Sequence, residues 1–585
     1  MDHHFLPYTT RANSRIELPL QQPIAVSSSD ESFTDKLSDS SIEFCCLWID
    51  QCIESHEQCK SSAGSIDGHF GPKRHTGPDQ TTLDLYPSRI IDVSTDPPRL
   101  CLTKDFPPGV RYATLSHCWG REFSQKQLLK HDTLDTFQHG LPMSDLSSTF
   151  REAVHFTQKV LTKYDVRYLW IDSLCIIQGS IEDWLEEAPR MGRVYASAFC
   201  NIAATASSDG SGGLFHPRHT QMAPYSVVNL DVPQGNTGES KLVDCILTVV
   251  DQWNRVVQNS PLGRRAWVFQ ERILSPRMIH FAEDMLYWQC TSHSASEDLH
   301  HGRLQTAESW DQACKQLCQR LPAESSTFPN DLRAIWFEIV DFYMSCKITY
   351  SDDRLQAFSG IAALFQRRVK EVEYYAGLWS CEMEQQLLWT TIRHGETLSI
   401  HPTTNTPSWS WASSDTPIEV IWYDLEDTIQ LMSIVGVDIA LAGRDPFGRT
   451  ISGRLRVKCI PIFGKIKSRP RLELLSGTGL NFRLSKTYRD MPLRDHEDSI
   501  LVCCMPVIWR EEEDEIAGLV LEPTGAEDGE FKRIGVFEKK TRSMYKGQEK
   551  SFTKVKRMLL ELSQRQSSYA CEKREVTGEC TLTIV

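Results

Sequence analysis

The chain has 585 residues, so it is too long for a single hydrophobic core, and two to four domains are expected. The net charge of −14 argues against nucleic acid as a partner, and the local basic run 532–557 is interpreted as a solvated face. Nineteen cysteines indicate a reducing compartment, because the chain shows no signal peptide and no apolar stretch long enough to span a bilayer. We therefore expect a soluble cytoplasmic protein without a membrane span.

Composition and periodicity divide the chain into segments. Residues 1–42 mix Ser, Asp, Pro and Gln without periodicity, which predicts disorder. Residues 43–105 form a Cys/His-containing segment that we expect to pack on the core. A central α/β domain is predicted over 106–295, a helical region over 296–400 and a β-rich region over 401–585.

Two short apolar runs, 112–116 and 168–177, end abruptly in small, polar and soft side chains. Runs of this length, bounded by turn-prone residues, predict strands that are buried on both faces. In open α/β sheets, ligands bind at the carboxyl ends of such strands. We therefore expect one edge of the sheet to carry Ser116, His117, Cys118, Asp172, Ser173 and Cys175.

A strand–helix–strand alternation surrounds these runs. Helical spacing of apolar residues predicts helices over 146–163 and 181–198, and another buried strand is predicted over 199–205. Pro189 lies inside the second helix and should kink it or shift its first turn. The alternation predicts a parallel sheet with flanking helices.

The second predicted helix holds acidic side chains with different neighbours. Glu186 lies four residues before Arg190, which predicts a surface ion pair worth a few tenths of a kcal/mol. Glu187 has no basic residue at i+4 and lies near Asp183 and Met191, which should raise the pKa of its carboxyl group. Such a carboxylate suits general acid/base catalysis or the stabilisation of an oxocarbenium ion. A solvated acid on the helix surface is the alternative.

Cys118, Cys175 and His117 also fit a thiol nucleophile. Cys–His catalysis needs the two side chains within hydrogen-bond reach, which the sequence does not show. Both cysteines end apolar strands, so buried structural thiols are the favoured interpretation. His117 is interpreted as a hydrogen-bonded histidine at the sheet edge.

Cys52, His56 and Cys59 follow an i, i+4, i+7 spacing, which places them on one face of a helix. Thiolate and imidazole ligands suit zinc. However, no CxxC knuckle is present, and a tetrahedral site on one helix needs a ligand from elsewhere, for example Cys101. We favour a Cys-rich amphipathic helix packed on the body, keep zinc as the less favoured alternative, and assign no metal ligand.

Three arginines, Arg264, Arg265 and Arg272, flank Glu271. Guanidinium groups bind phosphates bidentately, but buried ion pairs with Glu271 or Asp172 that fix a domain contact are slightly favoured. The chain has no Walker loop and no GxGxxG, GxSxG or HExxH motif, so the common nucleotide-fold, hydrolase and zincin interpretations lack support.

Three blocks resemble the fungal heterokaryon incompatibility (HET) domain family. They are YATLSHCWG at 112–120, YLWIDSLCIIQ at 168–178, which continues through the following helix, and RAWVFQERILSPR at 265–277. Their order and spacing are specific to that family, and the resemblance covers roughly residues 110 to 275. Segments that resemble typical companions of the domain lie at 46–59, 353–355, 377–379 and 407–412.

The resemblance implies a fold and a site. The HET domain is similar to the TIR domain, so a TIR-like, doubly wound, mostly parallel sheet with flanking helices is expected. Many TIR domains cleave the nicotinamide–ribose bond of NAD with one glutamate, and the order of the blocks gives that role to Glu187. The resemblance implies nucleotide-binding roles for Ser116, His117, Cys118, Trp119, Gly120, Asp172, Ser173 and Cys175.

Members of this family act in nonself recognition and can trigger programmed cell death. The resemblance therefore implies an effector of that kind, with NAD as a candidate substrate and with self-association or another incompatibility protein as its partnership. The alternative is a non-enzymatic signalling or scaffold module that acts through protein–protein association and depends on interface aromatics such as Trp267. A thiol enzyme that uses Cys118 or Cys175 is a third interpretation.

Overall fold

The computed structural model describes residues 38–57, 59, 86–120, 127–216, 226–233, 240–247, 252–297, 315, 330–367, 369, 371–391, 405–420, 427–467, 472–474, 486–489, 499–540, 551–564, 573–575 and 579–585. The predicted N-terminal segment 1–42 lies outside these ranges except at its C-terminal end. None of the helices in the described ranges combines the length and hydropathy that crossing a membrane requires.

The first helix, α1 (Asp39–Ser55), begins inside the segment that was predicted to be disordered. Its start is fixed by Ser38, whose side chain accepts a hydrogen bond from the backbone N–H of Ser41 at 3.2 Å and so caps the first turn. Cys45, Trp48, Ile49 and Cys52 are buried at i, i+3, i+4 and i+7, so one face of the helix packs on the rest of the chain.

The central sheet contains the strands that the two apolar runs predicted. Its strands are β1 (Arg89–Asp92), β2 (Arg99–Leu102), β3 (Arg111–Ser116), β4 (Val166–Trp170), β5 (Cys200–Ala203), β8 (Arg277–Phe281), β9 (Leu286–Cys290) and β10 (Ser294–Ser296). Between β5 and β8 the chain forms a separate hairpin of β6 (Ser226–Pro233) and β7 (Ser240–Leu247). The strand order across the sheet is β10-β9-β8-β5-β3-β4-β1-β2.

The sheet reverses its direction of growth at β3. Parallel pairing joins β3 to β4, β3 to β5 and β5 to β8, whereas the outer strands on both sides pair antiparallel. The chain first adds β4 on one side of β3 and then returns to add β5 on the other side. This is a doubly wound centre with its switch point between β3 and β5. The predicted α/β class and parallel centre are confirmed, with antiparallel edges.

Helices connect the strands of the central sheet. They are α2 (Leu134–His139), α3 (Ser148–Lys159), α4 (Asp172–Cys175), α5 (Ile181–Glu187), α6 (Met191–Ser197) and α7 (Ala266–Leu274). The strand predicted over 168–177 ends earlier, at Trp170, because Asp172 opens the single turn α4 and accepts the N–H of Ser173 at 2.6 Å. The predicted interruption at Pro189 is confirmed, since a 3-10 turn at Ala188–Arg190 separates α5 from α6.

The remaining described residues form helices and short strands and then a large β-sheet, so the predicted β-rich C-terminal region is confirmed. The helices are α8 (Asn330–Met344), α9 (Ser359–Gln366), α10 (Met383–Gln386) and α11 (Phe552–Gln564). The short strands β11 (Tyr374–Tyr375), β12 (Leu378–Trp379), β13 (Trp389–Thr391) and β14 (Ile418–Val420) form two small sheets. The C-terminal sheet contains β15 (Thr428–Gln430), β16 (Ser433–Leu441), β17 (Thr450–Cys459), β18 (Ile462–Lys467), β19 (Leu472–Leu474), β20 (Lys486–Arg489), β21 (Ser499–Arg510), β22 (Glu515–Pro523), β23 (Glu530–Lys540), β24 (Lys573–Arg574) and β25 (Cys580–Ile584).

Helix α7 joins the central sheet to the C-terminal part of the chain. Its Val268 packs with Ala203 and Met278 of β5 and β8, whereas Phe269 and Ile273 belong to the core built by α8, α9 and the C-terminal strands. A helix that is buried on nearly every side has core contacts in more than one direction. Helix α7 can therefore hold a polar side chain firmly against the sheet.

Candidate active site

The carboxyl end of β3 lies at the switch point and carries a buried polar network. Ser116, the last residue of β3, accepts a hydrogen bond at its Oγ from Asn201 Nδ2 of β5 at 2.9 Å. The same hydroxyl donates a hydrogen bond to the carboxylate of Glu271 on α7. All three residues are buried. The network therefore joins β3, β5 and α7 where open α/β sheets bind their ligands.

Glu271 is the carboxyl group that the fold brings to Ser116. Burial raises the pKa of Glu271 to about 7, and the nearby Asp172 charge adds to the rise, against the opposing effects of the Ser116 hydrogen bond and the Arg265 charge. Near neutral pH this carboxyl group can therefore both hold and release a proton. From the sequence, Glu271 was considered only as an ion-pair partner of the arginines.

His117, Trp119 and Asp172 form a second group beside the network. Asp172 Oδ2 accepts the indole N–H of Trp119 at 2.9 Å, and its Oδ1 lies 3.7 Å from Nδ1 of His117. The rings of His117 and Trp119 stack with their centroids 6.4 Å apart. Burial lowers the pKa of His117 to about 4, so the imidazole is neutral at physiological pH. The ends of β3 and β4 are thus in contact through these three side chains. Arg265 also donates a hydrogen bond to the backbone carbonyl of His117 at 2.5 Å.

Gly120 allows the loop after β3 to pass close to Asp209. Its φ of +76° lies in the left-handed region, and a Cβ there would stand 2.4 Å from Cβ of Asp209. We expect Gly120→Ala to destabilise the chain by about 1 kcal/mol or more beyond Gly109→Ala. Gly109 is the matched control because its φ is +89° with nothing within 4 Å of the added Cβ, so it measures the backbone strain alone. Equal melting temperatures for the two variants would contradict the steric argument.

The predicted site cysteines are buried thiols. Cys118 packs with Ala203 and Met278, and burial raises its pKa. Burial raises the pKa of Cys175 to about 12. Because the thiolate is the nucleophile, the raised pKa of each thiol disfavours its reactive form. Ser173 is fully buried in the turn beside Cys175.

Glu187 is buried beside the start of β1, away from the Ser116 network. Its carboxylate accepts hydrogen bonds from the Ser88 hydroxyl at 2.5 Å and the Ser88 N–H at 3.4 Å, just before β1. It also pairs with Arg190 at 3.0 Å. No basic residue lies at i+4 of Glu187, as the sequence shows, but Arg190 at i+3 supplies a basic partner. The predicted pair between Glu186 and Arg190 is confirmed at 3.0 Å.

The charge of Asp183, which the helix spacing places near Glu187, is paired with Arg89. Nη2 of Arg89 donates to both carboxylate oxygens of Asp183, at 2.6 and 2.5 Å, and Oδ2 of Asp183 also accepts the N–H of Ile177 at 2.7 Å. Glu187 is thus placed beside β1, which lies beyond β4 from the Ser116 network. Its catalytic role stays a prediction.

The N-terminal residues Cys52, His56 and Cys59 lie close to Cys290, the last residue of β9. Sγ of Cys52, Cys59 and Cys290 and a ring nitrogen of His56 all lie within 4.8 Å of one another. Cys101, the example of a fourth ligand considered from the sequence, is in β2 at the opposite edge of the sheet from Cys290 in β9. Cys101 is therefore not part of this group, and Cys290 takes the fourth position. Cys290 is separated from Cys52 by too much sequence for spacing to reveal it.

Residues 112–271 match the family model described as Heterokaryon incompatibility protein (HET). The matched segment begins in β3 and ends at Glu271, so it contains the whole polar network at the switch point. Ser88, the partner of Glu187, lies outside it. No curated protein and no solved structure gives a significant match to the chain. Residues 112–271 are therefore similar to the heterokaryon incompatibility (HET) domain, as the three sequence blocks predicted.

Proposed function

We propose that this chain is an effector of nonself recognition and cell death whose HET domain cleaves the nicotinamide–ribose bond of NAD at the switch-point network. The observation that carries the proposal is the buried Glu271 carboxyl group, hydrogen-bonded to Ser116 between β3 and β5. Its position suits a ligand at the carboxyl ends of the parallel strands. Its pKa of about 7 leaves the carboxyl group partly ionised near neutral pH, so a carboxylate is present there.

The neighbouring side chains suit a nucleotide. Trp119 supplies an indole face, and neutral His117 supplies a second ring stacked near it. Asp172 holds the indole by its N–H and so fixes the orientation of the ring. Planar bases and nicotinamide rings stack on such faces.

The proposed reaction breaks the bond between the anomeric carbon of the ribose and the ring nitrogen of nicotinamide. The bonding electron pair moves to that nitrogen and neutralises its positive charge, while the ribose carbon becomes positively charged. A carboxylate close to the sugar stabilises this oxocarbenium-like state. Water then adds to the carbon and loses a proton, so NAD and water give ADP-ribose, nicotinamide and a proton.

Two glutamates compete for this role. The sequence resemblance favours Glu187, but Arg190 at 3.0 Å offsets the negative charge of that carboxylate. Glu271 is hydrogen-bonded to a neutral hydroxyl at the switch point. An oxocarbenium ion is stabilised better by a carboxylate whose charge is not already paired, so we assign the catalytic role to Glu271 and keep Glu187 as the competing assignment.

The test measures NAD consumption by the purified full-length chain, after association is induced through a fused dimerisation tag. We expect NAD loss with wild type, a loss of about a hundredfold or more in rate with Glu271→Gln, and a smaller change with Glu187→Gln. Each variant is checked for a cooperative melt and for self-association. Equal rates for wild type and Glu271→Gln would exclude Glu271 as the catalyst. A rate of NAD consumption that is lost only in Glu187→Gln would return the role to Glu187. No NAD loss by wild type would remove the enzymatic proposal.

The same variants separate an enzyme from a scaffold. The Ser116, Asn201 and Glu271 network is fully buried, which also fits a structural role that supports a binding surface. In a host in which the wild type is toxic, the enzyme proposal expects Glu271→Gln to restore viability and cellular NAD while the protein still self-associates. Toxicity that persists in Glu271→Gln and is lost in a Trp267 variant would favour the scaffold.

A further inference from the structure

The Cys/His group has nearly the dimensions of a tetrahedral metal site. Zinc bound at about 2.3 Å from sulfur and about 2.0 Å from nitrogen would place its ligand atoms roughly 3.5 to 3.8 Å apart. Nδ1 of His56 lies 3.4 Å from Sγ of Cys290 and 4.0 Å from Sγ of Cys59. The four ligand atoms all lie within 4.8 Å of one another, so small side-chain rotations complete the tetrahedron.

The end of α1 turns these ligands toward one point. The sequence spacing predicted a single helix face, but α1 ends at Ser55, and His56 is extended with φ −97° and ψ 98°. The backbone N–H of Cys59 then returns to the carbonyl of His56 at 3.0 Å. Cys52 therefore approaches from the last helical turn, and Cys59 from the tight turn that follows. This geometry lets a short segment supply three ligands without a CxxC knuckle.

The fourth ligand comes from the edge of the central sheet. Cys290 is the last residue of β9, and its sulfur lies next to the turn that leads to β10. Helix α1 packs directly on β9, where Trp48 stacks on Trp288 with ring centroids 6.4 Å apart. The packing of these two indoles brings both halves of the ligand set together independently of any metal. A bound ion would fasten the N-terminal helix to the edge of the central sheet.

The surroundings of the group supply a compensating charge. Cys52, Cys59 and Cys290 are fully buried, and three thiolates with one dication would leave a net charge of about −1. Arg277 is buried as well, and its Nε donates to Sγ of Cys52 at 3.3 Å. Its guanidinium is held in place by a hydrogen bond to the carbonyl of Phe199 at 3.2 Å. A cation that donates to a metal-bound thiolate is a typical outer partner of such a centre.

We propose that Cys52, His56, Cys59 and Cys290 form a structural zinc site that joins the N-terminal segment to the central sheet. Four protein ligands close the coordination sphere, as in structural rather than catalytic zinc centres. The soft donor set of three sulfurs and one imidazole selects zinc over magnesium and calcium, which bind oxygen. A disulfide within the group is the competing outcome, but it would join only two of the three thiols.

The test is the metal content of the untagged full-length chain, purified from zinc-supplemented medium and measured by elemental mass spectrometry. We expect about one zinc per folded chain and a strong loss of zinc with Cys290→Ser. Cys101→Ser and Cys45→Ser are the matched controls and should keep the metal, because Cys101 lies at the other edge of the sheet and Cys45 lies outside the group. Cobalt in place of zinc should give the visible spectrum of a tetrahedral thiolate site.

A pair of variants at His56 separates ligand loss from misfolding. His56 is only half-buried, so His56→Ala should fold and lose zinc, whereas His56→Cys restores a four-ligand set and should retain it. Folding is verified by the melt of each variant. Folded wild type without zinc, unchanged zinc in both Cys290→Ser and His56→Ala, or an intact mass and thiol count that show a disulfide in the group would each overturn the proposal.

Discussion

Replacing Glu271 with Gln should remove a pH dependence of stability worth about 3 kcal/mol. The carboxyl group has a pKa near its ordinary value of 4.5 in the unfolded chain and about 7 in the fold, where burial disfavours the charged form. The folded state therefore binds the proton more tightly. The stabilising contribution is complete below about pH 4.5 and is lost as the pH rises through about 7.

The measurement is the free energy of unfolding of wild type and Glu271→Gln between pH 4.5 and 8. The difference, wild type minus variant, should fall across this window and then level off. Taking the difference is necessary because His117, whose pKa is lowered to about 4, gives a slope of opposite sign that both proteins share. Ser116→Ala removes a hydrogen bond that lowers the pKa of Glu271, so it should move the window to higher pH. A difference that stays flat with pH would contradict the burial argument.

Local sequence patterns predict the strands and helices of the central domain well. The apolar run that ends at Ser116 is a buried strand, and the break at Pro189 is where the ring geometry of proline requires it. The parallel centre follows from the alternation of short buried strands with amphipathic helices. The strand predicted to reach Ile177 ends early because the Asp172 side chain accepts a backbone N–H and favours a helical turn over further extended strand. The periodicity of apolar residues carries no information on such a hydrogen bond.

The candidate site depends on contacts that spacing does not encode. Ser116 and Glu271 are 155 residues apart, and their meeting depends on how α7 packs between two cores. No basic residue lies at i+4 of Glu187, which favours an unpaired carboxylate from sequence alone, yet Arg190 at i+3 and the Ser88 hydroxyl both bind it. The proximity of Cys290 to Cys52 depends on the order of the sheet strands, which places β9 where α1 packs. In each case the missing information was tertiary.

Phe269→Ala should destabilise the chain by about 3 to 5 kcal/mol, because it empties a fully buried aromatic position. The ring of Phe269 lies 5.7 Å from Phe342, 5.5 Å from Tyr343 and 6.2 Å from Phe358, measured between centroids. These contacts anchor α7 to the helical part of the chain that follows the central sheet. Calorimetry of the full-length variant measures the loss, and a cost below about 1 kcal/mol would mean that α7 does not need this anchor.

The position of Phe269 on α7 gives this substitution an effect that other core changes lack. It is two residues from Glu271, so the two side chains leave the helix in nearly opposite directions, one into the C-terminal core and the other to Ser116. Loosening α7 should therefore also weaken the Ser116 contact and alter the pH dependence attributed to Glu271. Phe463→Ala is the control, since Phe463 is buried against Phe531 in the C-terminal sheet and should cost stability without altering that pH dependence. If both variants leave the pH dependence unchanged, the polar network is held by the central sheet alone. If only Phe269→Ala changes it, the chain beyond residue 271 helps to position the carboxyl group.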